Sequence, residues 1–164
     1  MNEIEIAIEK DISHQYSDAV YHYINSIRDE NNLDAYINLA FLYWIFQDYG
    51  FFSNNKIPNE LRDTGYEEFL NIIKLGLEKF PNDTELNFWE KYFQLILFGE
   101  DFSEQDCKNL LERYKSNSLV PYFYLYLFDK EKYKEKIIEL IEEINNSSTA
   151  KNLYIKSVIG EDFL

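Results

Sequence analysis

The sequence predicts an all-α fold, and three observations carry that reading. Apolar residues recur at helical spacing from end to end, helix-start and helix-stop residues interrupt them at short intervals, and strand-like alternation is hard to find. The expectation is about seven short antiparallel helices forming one domain over residues 1–164, a length that buries a core without staples.

The opening segment reads two ways: Ile4, Ile6 and Ile8 alternate like a strand, while Ile4, Ile8 and Ile12 recur like a helix, and the helix is preferred. Residues 13–29 follow as a surface helix, with Tyr16, Val20, Tyr23 and Ile27 on one stripe and His14, Asp18 and Asn25 opposite. Over 33–49 the run from Leu39 through Phe41, Leu42, Tyr43, Trp44, Ile45 and Phe46 leaves almost no polar side, as in a central helix. Residues 86–98 repeat the pattern with Phe88, Trp89, Tyr92, Phe93, Leu95, Ile96 and Leu97. Each run closes on an aromatic residue and a glycine, Tyr49-Gly50 and Phe98-Gly99, so glycine is expected to end both helices in the left-handed conformation.

Between them, Thr64 and Glu67 have capping-box spacing, and Tyr66, Phe69, Leu70, Ile73 and Leu77 form a stripe that stops at Pro81. A new start is expected at Asp83 or Thr84, and another at Ser103 with Asp106 three residues on. A short helix from about 121, a longer one over 130–145 with Tyr133, Ile137, Leu140, Ile141 and Ile144 inward, and a last one over 149–159 complete the set. The one long connection is 50–63, a length typical of functional or mobile loops.

Composition narrows the class. Hydrophobic residues at 46% and aromatics at 18% are too much apolar mass for a disordered chain. The longest apolar runs, 39–46 and 119–128, fall short of the roughly 18 to 20 residues of a spanning helix, so no membrane partner is expected. The acidic start MNEIEIAIEK lacks the basic and apolar regions of a signal peptide, and the single Cys107 suits a reducing compartment; the expected location is the cytoplasm. The net charge is −14. Residues 1–106 hold 21 acids against 7 Lys plus Arg, whereas 107–164 hold 9 against 9. So acidic a surface repels nucleic acid, which is not expected as a partner; it either serves solubility alone or attracts a basic protein.

Catalytic and metal-binding patterns are weak. His14, Asp18 and His22 stand at i, i+4 and i+8, but the two histidines would lie about 12 Å apart on a helix, too far to share an ion. Glu131, Glu135, Glu139 and Glu143 form an i, i+4 row interleaved with Lys132, Lys134 and Lys136, which reads as a solvated mixed-charge face. Cys107 reads as a half-buried bystander. No glycine-rich phosphate loop or zinc pattern occurs, so no cofactor, no metal and no catalytic residue is assigned, and the chain is expected not to be an enzyme. Two acidic and aromatic clusters remain as candidate partner-binding residues. One comprises Asp48, Tyr49, Phe51 and Phe52 with Glu60, Asp63, Glu67 and Glu68; the other comprises Glu100, Asp101, Phe102, Glu104 and Asp106. Acids beside exposed rings would steer and anchor a basic protein; the competing reading folds Phe51, Phe52 and Phe102 back as staples while the acids cap helices.

Two resemblances add to this. The segment Gly76-Leu-Glu-Lys-Phe-Pro81-Asn-Asp resembles the junction between tetratricopeptide repeats, with Gly76 at the small-residue position and Pro81 at the helix-ending proline. It covers roughly a quarter of the chain, and Trp89 and Tyr92 depart from the family's spacing. It implies stacked helix pairs, the alternative being an irregular helical bundle, and with it a helical-repeat adaptor that grips a peptide or folded protein. In style, an acidic chain rich in Asn, Ile, Tyr and Phe resembles bacterial immunity proteins, including those of contact-dependent growth inhibition. That resemblance implies an inhibitor that neutralises a basic toxin domain, a nuclease being one kind, by occluding its active surface.

Overall fold

A computed structural model describes residues 1–115 and 118–160. Among these residues the chain is all-helical, with ten helices and no strand: α1 (Glu3–Ile12), α2 (Tyr16–Glu30), α3 (Leu33–Ile45), α4 (Tyr49–Asn54), α5 (Asn59–Lys79), α6 (Thr84–Phe98), α7 (Glu104–Arg113), α8 (Tyr122–Tyr126), α9 (Lys130–Ile144) and α10 (Ala150–Ile159). The class is the expected one and the helix number is larger. Two compact units divide the chain, residues 1–80 with 149–151, and residues 81–148 with 152–164.

Local signals explain most helix starts. Asn2 and Glu5 close a capping box on α1, Asp83 accepts the Leu86 N–H on α6, Ser103 and Asp106 make the reciprocal box on α7, and Asp129 accepts the Lys132 N–H on α9.

Three expectations fail. The 50–63 loop does not exist, because Asp48 accepts the Phe51 N–H and starts α4, and α5 begins at Asn59. Gly50 therefore lies inside α4 and closes nothing, while α3 ends at Ile45. Thr64 stands within α5 and caps nothing, since that helix starts just after Pro58.

In the first unit, α3 packs against α2 and α5 and buries every residue from Ala35 to Phe46. Its approach to α5 is close: a Cβ on Gly65 would sit 2.9 Å from the Tyr43 carbonyl oxygen. The buried stripe of α5 is Gly65, Phe69, Ile73 and Gly76, and Tyr66, expected inward, is exposed. Asp11 is 1% exposed; its carboxylate accepts the Tyr23 hydroxyl at 2.9 Å and the Ala150 N–H at 2.7 Å. A carboxylate of α1 thus serves the first turn of α10.

The second unit is built on stacked rings. Phe88, Trp89 and Tyr92 of α6 are buried against Phe123 or Tyr124 of α8, buried Phe93 stacks on Trp89, and the Tyr92 and Tyr154 hydroxyls meet at 2.5 Å. The apolar cover of α6 stops there, for Ile96, Leu97 and Phe98 are 51%, 38% and 54% exposed. Gly99, at φ 65°, ends the helix as expected.

Candidate functional site

The first predicted cluster splits between scaffold and surface. Asp48 is the α4 cap; Phe51 leans on Tyr16 and Phe46, with centroids 5.1 and 6.1 Å away; and Phe52 lies under the Arg62 guanidinium at 4.6 Å. Both phenylalanines are half-buried, so they are staples of α4 rather than free anchors. Tyr49, by contrast, is 72% exposed.

Along α5, Glu60, Asp63 and Glu67 stand at i, i+3 and i+7, one face of a helix, and all three are exposed. None makes a side-chain hydrogen bond or ion pair among the described residues. Glu68 is half-buried and its charge helps hold the Tyr43 hydroxyl protonated, pushing that group up after burial has done so first. Asp63 and Glu67 meet Tyr66, Arg62 and Gln47 around a shallow groove of about 410 Å³. The Gln47 amide donates to the Tyr43 and Arg62 carbonyls, which fixes the groove's rim between α3 and α5. Tyr66 is 61% exposed and flanked by two carboxylates, although its helical spacing with Phe69 and Ile73 predicts a core position.

The second cluster is rearranged more strongly. Phe102 is buried, stacked on Tyr124 at 5.1 Å and next to Phe88 at 6.1 Å, and its carbonyl receives the Tyr124 hydroxyl. It cannot be an exposed anchor. Asp106 accepts the Ser103 N–H at 2.9 Å, which holds its carboxyl below the usual range. Glu104 accepts the Tyr133 hydroxyl at 2.7 Å and faces Lys132 at 3.5 Å, and it too is lowered, first by the Tyr133 bond. Only Glu100 and Asp101 are left with carboxylates unengaged among the described residues. The exposed ring beside them in sequence is Phe98, at the end of α6 and preceded by exposed Ile96 and Leu97, and not Phe102.

Other sequence candidates resolve locally. His14 lies before α2 at φ 60°, so the three-residue helical row does not form, and His22 Nδ1 meets Glu3 Oε2 at 2.7 Å. Asn25, expected on the outer face, is buried and donates to Glu3. Glu131, Glu135, Glu139 and Glu143 are exposed as expected. Cys107 is fully buried, not half-buried, with its thiol pushed up to about 12 by burial. Among the described residues no three of His, Cys, Asp and Glu converge as metal ligands would, and no helix is long and apolar enough to cross a membrane.

A second groove, about 370 Å³, is lined by Lys91, Asp101, Asp106, Asn109, Arg113 and Tyr114 among others. It holds two carboxylates, but Asp106 is locked in its cap and held ionised, the opposite of what a general acid needs. Among the described residues the carboxyl raised toward neutrality is Asp11, at about 6 through burial, and its oxygens are engaged by the Tyr23 hydroxyl and the Ala150 N–H.

No protein-family model, curated protein or solved structure matches this chain. The site must therefore be read from its own chemistry.

Proposed function

We propose that this chain is a small acidic inhibitor that binds a basic protein, in its most concrete form an immunity protein that neutralises a toxin domain by covering the surface the toxin uses for nucleic-acid phosphates. The observation that supports this reading best is the outer face of α5, where Glu60, Asp63 and Glu67 form no ion pair among the described residues and exposed Tyr66 stands among them. Free carboxylates steer a basic partner over long range, and an exposed tyrosine is the kind of ring that becomes a buried anchor.

The charge also divides evenly. The first unit holds 14 acids against 7 Lys plus Arg and the second 16 against 9, a net −7 each, although by sequence the whole excess falls before residue 107. On this reading the chain acts by binding and not by catalysis.

The test is capture with this chain as bait at moderate salt, followed by titration of a basic protein that elutes at high salt. Stoichiometric loss of that protein's nuclease activity is expected, with binding that weakens as salt rises to about 1 M, where the screening length is about 3 Å. The triple change Glu60→Lys, Tyr66→Ala, Glu67→Lys should weaken the complex by about 10-fold or more. A complex indifferent to both salt and these changes would sink the reading and favour the adaptor alternative.

A further inference from the structure

The end of α6 is the least expected surface of the molecule. Ile96, Leu97 and Phe98 are exposed together, on a helix whose preceding turns are core. Isolated exposed apolar residues are ordinary, but three in succession at a helix end form a wedge. The residues that follow the wedge are acidic, although Asp101 also lines the groove that holds Lys91 and Arg113. The last turn carries no basic residue, Glu100 and Asp101 follow at once with exposed carboxylates, and the helix end is itself the negative pole. The cap at Gly99 takes up the Leu95 and Gln94 carbonyls, and the other last-turn carbonyls have no helical donor.

We infer that residues 94–101 form a docking surface for an amphipathic, arginine-bearing segment of a partner protein, with Leu97 and Phe98 covered by its apolar side chains and its guanidinium groups meeting the exposed carboxylates of Glu100 and Asp101. Arginine fits because it presents several N–H donors in a fixed fork and tolerates partial desolvation better than lysine. The inference rests on the reading above in taking the partner to be basic, but it concerns a surface in the other unit.

The experiment titrates the full chain with a synthetic peptide of alternating arginine and leucine, beside an arginine–serine peptide and a glutamine–leucine peptide, following backbone amides by NMR. Saturable shifts confined to 94–101 are expected with the first peptide alone. Phe98→Ala should weaken binding by about 10-fold and Glu100→Lys with Asp101→Lys by at least as much, while the equally charge-changing Glu135→Lys with Glu143→Lys, at exposed positions of α9, leaves it unchanged. Equal binding of the arginine–serine peptide, shifts centred on α5, or indifference to Phe98→Ala would overturn the inference. So would salt-resistant self-association by sedimentation that Phe98→Ala abolishes, because the occupant would then be a second copy. If the peptide maps to 94–101 but no basic protein is neutralised, the docking surface stands and the inhibitor reading falls. Full neutralisation by a Phe98→Ala chain that no longer binds the peptide would dissociate the surface from inhibition and overturn its place in the complex.

Discussion

Helices α3 and α6 are near twins in sequence and opposites at their ends. Both are aromatic-rich and bury most of their rings, and an aromatic–glycine pair closes α6, Phe98-Gly99, and follows α3 a few residues on, Tyr49-Gly50. Yet α3 is buried through Phe46, whereas α6 is buried to Phe93 and then leaves Ile96, Leu97 and Phe98 in solvent. Gly99 closes α6 at positive φ, while Gly50 sits inside the next helix. A run of apolar residues thus announces that a helix is central without saying along how much of its length. In α3 the cover is supplied by α2, α5 and the folded-back Phe51. In α6 the rings of α8 and the buried Phe102 cover only the earlier turns.

The widest separation between the twins should come from truncating their last rings. Phe46→Ala is expected to cost about 3 to 5 kcal/mol, and Phe98→Ala to stay within about 0.5 kcal/mol. Trp44 lies in the first unit and Trp89 in the second, so single-tryptophan backgrounds, Trp89→Phe and Trp44→Phe, let denaturant melts report each unit by fluorescence. Comparable losses at both positions would break the comparison.

A second difference is electrostatic. The first unit buries a carboxyl, Asp11, whose pKa is raised to about 6 by desolvation against the lowering pull of its Ala150 and Tyr23 bonds, Lys151 and His14. In the second unit Glu104 and Asp106 are shifted the other way, downward. With the folded value above the unfolded 3.8, the folded state holds the Asp11 proton more tightly, so Asp11 favours folding most below about 4 and loses that advantage as pH rises through about 6. The swing is on the order of 2 to 3 kcal/mol. Measured as wild type minus Asp11→Asn with the Trp44 probe, stability should fall over this window; a flat difference would show that the two units do not differ in this respect.

The smallest effect separates the two glycines. Gly99→Ala places a side chain at φ 65° and should cost about 1 to 2 kcal/mol. Gly50→Ala gains helix propensity but brings its Cβ to 3.3 Å from the Asp48 cap oxygen, so a net change within about 0.5 kcal/mol is expected. Parallel thermal melts decide it, and equal losses would mean that both glycines close helices after all.

The helical class and most helix boundaries were determined by the sequence alone, because they depend on interactions within one turn. Asp83, Ser103 and Asp129 each satisfy an N–H three residues away, and Gly99 needs only its own missing Cβ. The face of each helix that meets another was only partly legible. Periodicity identified Tyr133, Ile137, Leu140 and Ile144 on α9, yet it placed Tyr66 inside and missed the close approach that only Gly65 permits. The tertiary structure alone decided which rings are anchors. Phe98 and Phe102 stand four residues apart beside the same acids, and one is exposed while the other stacks on Tyr124, a partner more than twenty residues away in sequence. Burial is set by what arrives from elsewhere in the chain, and no local spacing records that arrival.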